Sequence, residues 1–117
     1  MELKEVYEKI GGDYDDVVRR LMGEKLVRKF LLKFRDDKSY ADLERTLSEG
    51  DYKEAFRAAH TLKGVCLNLG FTELYKVSAE LTEVLRGRET AGSDELYAQV
   101  KEQYTTLTDA IRELAGN

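Results

Sequence analysis

Apolar residues recur every three or four positions along most of this chain, and no proline interrupts the pattern. A helix advances about 100° per residue, so this spacing places the apolar side chains on one face. Proline is the strongest helix breaker, and its absence permits long helices. The clearest stripe consists of Leu96, Val100, Tyr104, Leu107, Ile111 and Leu114. The pattern therefore predicts an all-α protein in which each helix buries one face.

Glycines and helix-capping residues divide this pattern into segments. The predicted helices, with their N-terminal caps, span about 3–10, 13–22, 24–49, 51–69, 72–87 and 93–114. A kink or break at 36–39 stays open, and a polar loop is expected at 88–92. Asp13 and Asp51 are expected to act as N-caps, because each is followed three residues later by an acidic residue. Thr72 and Ser93 are expected to cap the last two helices.

Four major helices with one apolar stripe each must bury those stripes against one another. Short glycine-containing connections favour antiparallel neighbours. We therefore expect a single domain over 1–117, with an antiparallel four-helix bundle at about 24–115. The two short N-terminal helices, at about 2–23, would form a lid on one end of the bundle.

Composition excludes several classes of protein. The net charge is −4 and the basic residues are dispersed, so we expect no binding to nucleic acid. The chain has no signal sequence and no apolar run long enough for a membrane span, so we expect a cytoplasmic protein without membrane contact. Cys66 is the single cysteine and cannot form an internal disulfide, and no metal site is expected.

The only histidine lies in the stretch His60-Thr61-Leu62-Lys63-Gly64. Positions three and four residues apart return to nearly the same helix face, so Lys63 and Gly64 flank His60. Imidazole is a nucleophile near neutral pH, and Lys63 supplies a positive charge for an anion. Glycine inside a helix costs about 1 kcal/mol relative to alanine, so Gly64 indicates a purpose other than stability. The three residues predict a surface site that accepts phosphate.

The helical phase of this segment separates a core stripe from an outer face. The stripe consists of Ala55, Ala58, Ala59, Leu62, Cys66 and Leu69. His60 points about 150° away from the centre of the stripe and should face solvent. Phe56, Leu67, Lys53 and Arg57 share its side and predict a partner surface with a basic border. The alternative, that Phe56 and Leu67 pack against adjacent helices, stays open.

The run Ala58-Ala59-His60-Thr61-Leu62-Lys63-Gly64, continuing through Asn68-Leu69-Gly70, resembles the signature of histidine-containing phosphotransfer (HPt) domains. The resemblance extends from about Glu24 to Leu114. It implies a helical bundle that accepts a phosphoryl group on His60 from a receiver-domain phosphoaspartate and passes it to another receiver. It also implies that Lys63 stabilises phosphoryl charge and that Gly64 admits the partner.

The resemblance further implies the partners and cofactors. Receiver domains of response regulators would dock on Phe56, Arg57, Leu67, Lys53 and Thr82, and a hybrid or other histidine kinase would supply phosphate. No cofactor of its own is expected, because the Mg²⁺ would be held by the receiver. Many HPt domains place a Gln or Glu on the next helix that hydrogen-bonds the imidazole. By spacing, that position here is Thr82, and Glu83 points elsewhere.

The sequence leaves one other class of function open and disfavours two more. A helical adaptor that binds receivers or other helices without accepting phosphate stays open. An autonomous enzyme is disfavoured, because the chain has no nucleophile–base pair, and a kinase is excluded by the lack of a Gly-rich ATP-binding segment. We expect a monomeric phosphocarrier.

Overall fold

The computed structural model describes residues 1–87 and 92–116, and these form seven α-helices and no β-strand. The helices are α1 (Leu3–Ile10), α2 (Tyr14–Arg20), α3 (Glu24–Phe34), α4 (Ser39–Ser48), α5 (Tyr52–Leu69), α6 (Thr72–Arg86) and α7 (Ser93–Leu114). The all-α prediction is therefore confirmed. The loop predicted at 88–92 lies, apart from Gly92, outside the described residues.

The predicted helix at 24–49 is two helices, α3 and α4. After Phe34 the backbone tightens, and the amides of Asp36 and Asp37 donate to carbonyls three residues earlier, at 2.9 and 3.0 Å. The carboxylate of Asp37 then accepts a hydrogen bond from the backbone N–H of Ser39 at 3.0 Å. Aspartate favours such local turns over helix continuation. The break that the sequence left open is thus made by Asp37.

Helices α3 and α4 together form one side of an antiparallel bundle with α5, α6 and α7. The guanidinium of Arg28 on α3 donates to the carbonyl of Leu114 at the end of α7, 3.1 Å away. The hydroxyls of Tyr40 on α4 and Tyr97 near the start of α7 are 3.0 Å apart. The α3–α4 pair therefore runs opposite to α7. Helix α5 packs between α4 and α6, and α6 packs against α7.

The two short N-terminal helices close the end of the bundle at which α5 stops. Helix α1 lies along α7, and the buried Tyr7 donates its hydroxyl to the carbonyl of Leu69 at 2.6 Å. The amide of Asp13 donates to the carbonyl of Gly70 at 3.0 Å. A Cβ on Gly12 would lie 2.7 Å from that same carbonyl oxygen, so glycine permits this close approach.

The capping predictions have mixed outcomes. Asp13 and Asp51 accept hydrogen bonds from the backbone of Asp16 and Glu54, at 3.1 and 3.2 Å, as predicted. Thr72 and Ser93 are the first helical residues rather than the caps, which are Phe71 and Gly92. None of the described helices combines the length and apolar composition that crossing a membrane requires.

Candidate functional site

Helix α5 exposes His60 because the opposite face of the helix is buried in the core. The six residues predicted as the core stripe are the six that the helix buries: Ala55, Ala58, Ala59, Leu62, Cys66 and Leu69. The helix begins after the Asp51 cap and ends at Gly70, whose φ of 72° lies in the left-handed region. His60 is exposed on the outer face, as its helical phase predicted.

Lys63 and Gly64 both lie beside His60, one turn further along α5. Lys63 is half-buried, and none of the ion pairs found among the described residues includes it. Gly64 is exposed, and a Cβ built on it would meet no described atom within 4 Å. The fold itself therefore places no steric demand on Gly64, and its surface leaves room for another molecule to approach the imidazole.

Phe56 lies one turn before His60, and its ring is only half-exposed. The centroid of the ring is 6.0 Å from that of the imidazole, and the guanidinium carbon of Arg86 on α6 lies 5.0 Å from the ring centroid. This is the geometry of a cation–π contact. The phenylalanine also packs against the hydrophobic core. Much of the Phe56 side chain therefore packs against the adjacent helix, which was the alternative left open by the sequence.

The other residues predicted for this surface differ in their exposure and in their ion pairing. Leu67 is 58 % exposed, so the alternative that it packs against a neighbouring helix is wrong. Lys53 is exposed, and no ion pair within the described ranges involves it. Arg57 is also exposed, but its guanidinium lies 3.1 Å from the carboxylate of Glu54. The predicted basic border is present, with one of its cations partly neutralised.

The prediction that Thr82 lies beside the imidazole of His60 is wrong. Thr82 is completely buried, and its hydroxyl donates to the carbonyl of Ser78 within the same helix at 2.6 Å. It therefore reaches neither the imidazole nor a docked partner. The cause is the rotation of α6 in the bundle, since Thr82 belongs with Leu74, Ser78, Leu81 and Leu85 on the buried face of that helix.

Glu83 is the residue of α6 that faces the site, contrary to the sequence expectation. Its carboxylate is near enough to His60 and Lys63 to interact electrostatically with both. The Nε of Arg86 donates to this carboxylate at 2.9 Å. The hydrogen bond from Arg86, followed by electrostatic interaction with Arg86, Lys63 and His60, holds the pKa of Glu83 below its usual range. The family expectation of a Gln or Glu at this place was the signal that could have identified it.

These residues form a compact arrangement of charge around one exposed nucleophile. Lys63 offers a cation to an incoming anion, and the ionised Glu83 offers a hydrogen-bond acceptor. Cys66 takes no part, because it is buried in the core, and burial raises the pKa of its thiol. Within residues 1–87 and 92–116, no three His, Cys, Asp or Glu side chains are grouped so that they could bind a metal ion.

Comparison with known proteins agrees with the resemblance. The family model described as the Hpt domain matches residues 25–114, which is most of the chain. No curated protein matches the sequence, and no solved structure does. The matched range begins in α3 and includes α4 to α7, and it leaves α1 and α2 outside.

Proposed function

The chain belongs to the Hpt domain family, and from this premise we propose that His60 is the residue that carries the phosphoryl group. Hpt domains act in phosphorelays by histidine phosphotransfer, as phosphocarriers rather than kinases, and they interact with receiver domains and kinases. His60 is the only histidine in the sequence, and it is exposed on α5. That single observation carries the assignment.

The proposed reaction is a pair of in-line transfers. The lone pair of the unprotonated His60 nitrogen, Nε2, attacks the phosphorus of a receiver phosphoaspartate. The N–P bond forms as the P–O bond breaks, and the aspartate leaves as a free carboxylate. In the second transfer the carboxylate of another receiver attacks the same phosphorus, and the N–P bond breaks. Such transfers depend mainly on alignment and on charge stabilisation.

Lys63, Gly64 and Glu83 have separate proposed roles in this transfer. Lys63 neutralises part of the charge on the phosphoryl oxygens. Gly64 permits the receiver to bring its aspartate up to the imidazole, because no side chain projects there. Glu83 accepts a hydrogen bond from the Nδ1–H of His60, which turns Nε2 toward the partner. The Mg²⁺ that phosphoryl transfer requires belongs to the receiver in this proposal.

Exposed residues around His60 form the proposed contact with the receiver. Leu67 contributes apolar area, and Lys53 and Arg57 contribute positive charge. Exposed apolar side chains beside a reactive group are typical of a partner surface. Phe56 contributes less, because Arg86 lies over its ring.

The test is transfer from a phosphorylated receiver domain to the purified chain. A receiver carrying radiolabelled phosphoaspartate is mixed with wild type and with His60→Gln. The expected result is a label on wild type that is labile to acid and stable to base, and no such label on the variant. Thr61→Ala, at the exposed residue next to His60, is the matched control and should accept label like wild type.

Two outcomes would contradict the proposal. Label that persists on His60→Gln would assign the phosphoryl group to another residue, with Lys63 the first to examine. Binding of the receiver by wild type without any label would support the alternative, in which the chain is an adaptor that accepts no phosphate.

A further inference from the structure

The C-terminal end of α5 receives hydrogen bonds from two parts of the chain. The last carbonyls of a helix have no partner within the helix itself. The residues that follow α5 serve two of them, since their amides donate to the carbonyls of Cys66 and Leu67 at 2.9 and 3.4 Å. This pattern is usual for a helix that ends on a glycine. It leaves the carbonyls of Asn68 and Leu69 for other partners.

Helices α1 and α2 supply these other partners. The guanidinium of Arg20, the last residue of α2, donates to the carbonyl of Asn68 at 3.1 Å. The hydroxyl of the buried Tyr7 on α1 donates to the carbonyl of Leu69 at 2.6 Å. Both donors precede residue 25, where the matched family range begins. The N-terminal segment therefore holds the end of α5 with groups that the matched range does not include.

Arg20 is itself held from its other side. Its Nε donates to the carboxylate of Asp16, one turn earlier on α2, at 2.7 Å, while its Nη2 reaches α5. The planar guanidinium carries these donors in a fixed arrangement, so each contact helps to orient the other. The same Nη2 lies 3.4 Å from the carbonyl oxygen of Leu67. Arg20 therefore connects α2 to the backbone of a residue that is proposed above to contact the receiver.

Leu67 projects from the turn that Arg20 holds. Its side chain is 58 % exposed, so packing against the described residues leaves much of it free. The end of a helix frays readily, and carbonyls that lose their partners turn to water. The direction of the Leu67 side chain therefore depends on how firmly this turn is held. His60 lies seven residues earlier in the same helix, about 10 Å away along the axis, and does not share this dependence.

We infer that Arg20 is a positioning residue for partner binding. Anchored by Asp16, it fixes the last turn of α5 and holds Leu67 in the direction that contacts the receiver. The inference rests on the proposed function and adds a residue from outside the matched range that raises the affinity for the partner. Without Arg20 the turn is ordered only on binding, and the conformational entropy lost at that moment weakens the complex. The transfer step at His60 is unaffected.

The test compares Arg20→Ala with Arg19→Ala. Arg19 is a matched control, because it lies 2.6 Å from the same Asp16 carboxylate and its loss changes the net charge equally. Among the hydrogen bonds of the described residues, that of Arg19 reaches Asp16 and not α5. Affinity for a purified receiver domain is measured by fluorescence anisotropy, and label transfer by rapid quench at saturating receiver. Circular dichroism checks that each variant is folded.

Arg20→Ala should bind the receiver about 5- to 10-fold more weakly than wild type, whereas its first-order transfer rate should stay within about 2-fold. Amides in the last turn of α5 should exchange with deuterium about 10-fold faster, and those around His60 should not change. Arg19→Ala should match wild type in all three measurements. Arg20→Lys should be intermediate in affinity, because an ammonium group keeps a donor but lacks the planar fork.

A double-mutant cycle distinguishes action through Leu67 from direct contact between Arg20 and the receiver. Leu67→Ala leaves no side chain to position, so adding Arg20→Ala to it should weaken binding by less than about 2-fold. Full additivity of the two effects would overturn the inference, since Arg20 would then act independently of Leu67.

Three further results would be decisive. Equal affinity of wild type and folded Arg20→Ala would overturn the inference, and so would equal weakening in Arg19→Ala, which would indicate a general effect of charge. Slower transfer by Arg20→Ala at saturating receiver would place its effect at His60 and overturn the role assigned through Leu67. Wild type that binds the receiver but takes no label would contradict the proposed relay function, while the affinities would still decide the role of Arg20.

Discussion

The carboxylate of Glu83 interacts with three neighbouring side chains of the site, those of Arg86, Lys63 and His60. Arg86 donates to it at 2.9 Å, and Lys63 and His60 interact with it through space. These partners lower its pKa, so the carboxylate is ionised at neutral pH and can accept a hydrogen bond. Arg86 in turn lies over Phe56. In the proposed function this carboxylate orients His60, and the orientation of the imidazole then depends on α6 as well as on α5.

Removal of the Glu83 carboxylate should slow transfer while leaving the fold unchanged. We expect Glu83→Ala to lower the first-order transfer rate at saturating receiver by about 10-fold, which corresponds to about 1.4 kcal/mol of barrier. Glu83→Gln should recover much of this rate, because the amide oxygen still accepts a hydrogen bond. Rapid-quench measurements of labelled His60 report the rate.

Glu80→Ala is the matched control for Glu83, because Glu80 is exposed on the same helix and none of the ion pairs among the described residues includes it. It should transfer at the wild-type rate. If Glu83→Ala also did so, Glu83 would have no positioning role, and the ring of His60 would be oriented by α5 alone.

Helix α5 combines two glycines with opposite physical requirements. Gly64 lies inside the helix, and a Cβ there would meet no described atom within 4 Å. Gly70 ends the helix at a φ of 72°, and a Cβ there would lie 3.2 Å from the Cβ of Val17. The first glycine is costly to the helix without any benefit to packing, whereas the second is required by the backbone.

Substitutions at these glycines should separate stability from transfer. Gly64→Ala should raise the free energy of unfolding by about 0.5–1 kcal/mol, whereas Gly70→Ala should lower it by about 1 kcal/mol or more. Gly64→Arg should keep the helical content and block transfer, because its side chain covers the approach to His60. Urea denaturation, circular dichroism and the label assay provide the three measurements. Normal transfer by a folded Gly64→Arg would refute the close-approach role of this glycine.

The α5 helix also shows which structural features can be predicted from the local sequence. Its caps, its end and all six buried residues agree with prediction, because each depends on neighbours within the same helix. The helix predicted at 24–49 is less regular. Apolar spacing continued on both sides of Asp36, but the Asp37 carboxylate competes for the backbone amide of Ser39 and ends the regular hydrogen bonding. Apolar periodicity alone does not predict that a side chain will take this backbone hydrogen bond.

At the scale of the whole molecule, the N-terminal helices and the charge distribution are the features that extend beyond any one element. Ile10 of α1 is 5 % exposed, and α1 lies along α7. Tyr7 and Asp13 hydrogen-bond to the carbonyls that end α5. The segment before the matched family range is therefore packed as part of the same core. Residues 19–35 contain seven basic residues and one acidic residue, in a chain whose net charge is −4.

Loss of apolar contact at α1 should destabilise the entire bundle. We expect Ile10→Ala to lower the free energy of unfolding by about 2–5 kcal/mol, because truncation of a buried isoleucine loses burial and leaves a cavity. Unfolding should remain a single transition when followed by circular dichroism and by tyrosine fluorescence. Met22→Ala, at a residue that is 89 % exposed, should change stability by less than about 0.5 kcal/mol.

Two separate transitions for Ile10→Ala, with the later one unchanged from wild type, would show that α1 and α2 unfold independently. In that case the contacts of Tyr7 and Asp13 would add little to the bundle.

The sequence by itself determined that the protein is helical, which face of α5 is buried and that His60 points outward, because all of these follow from angular spacing within one helix. Tertiary structure decided that Glu83 rather than Thr82 faces His60, and that Arg86 covers Phe56. Both outcomes depend on how α6 is rotated against α5. That rotation is set by side chains from several helices packing together in the core, and no single helix contains the information.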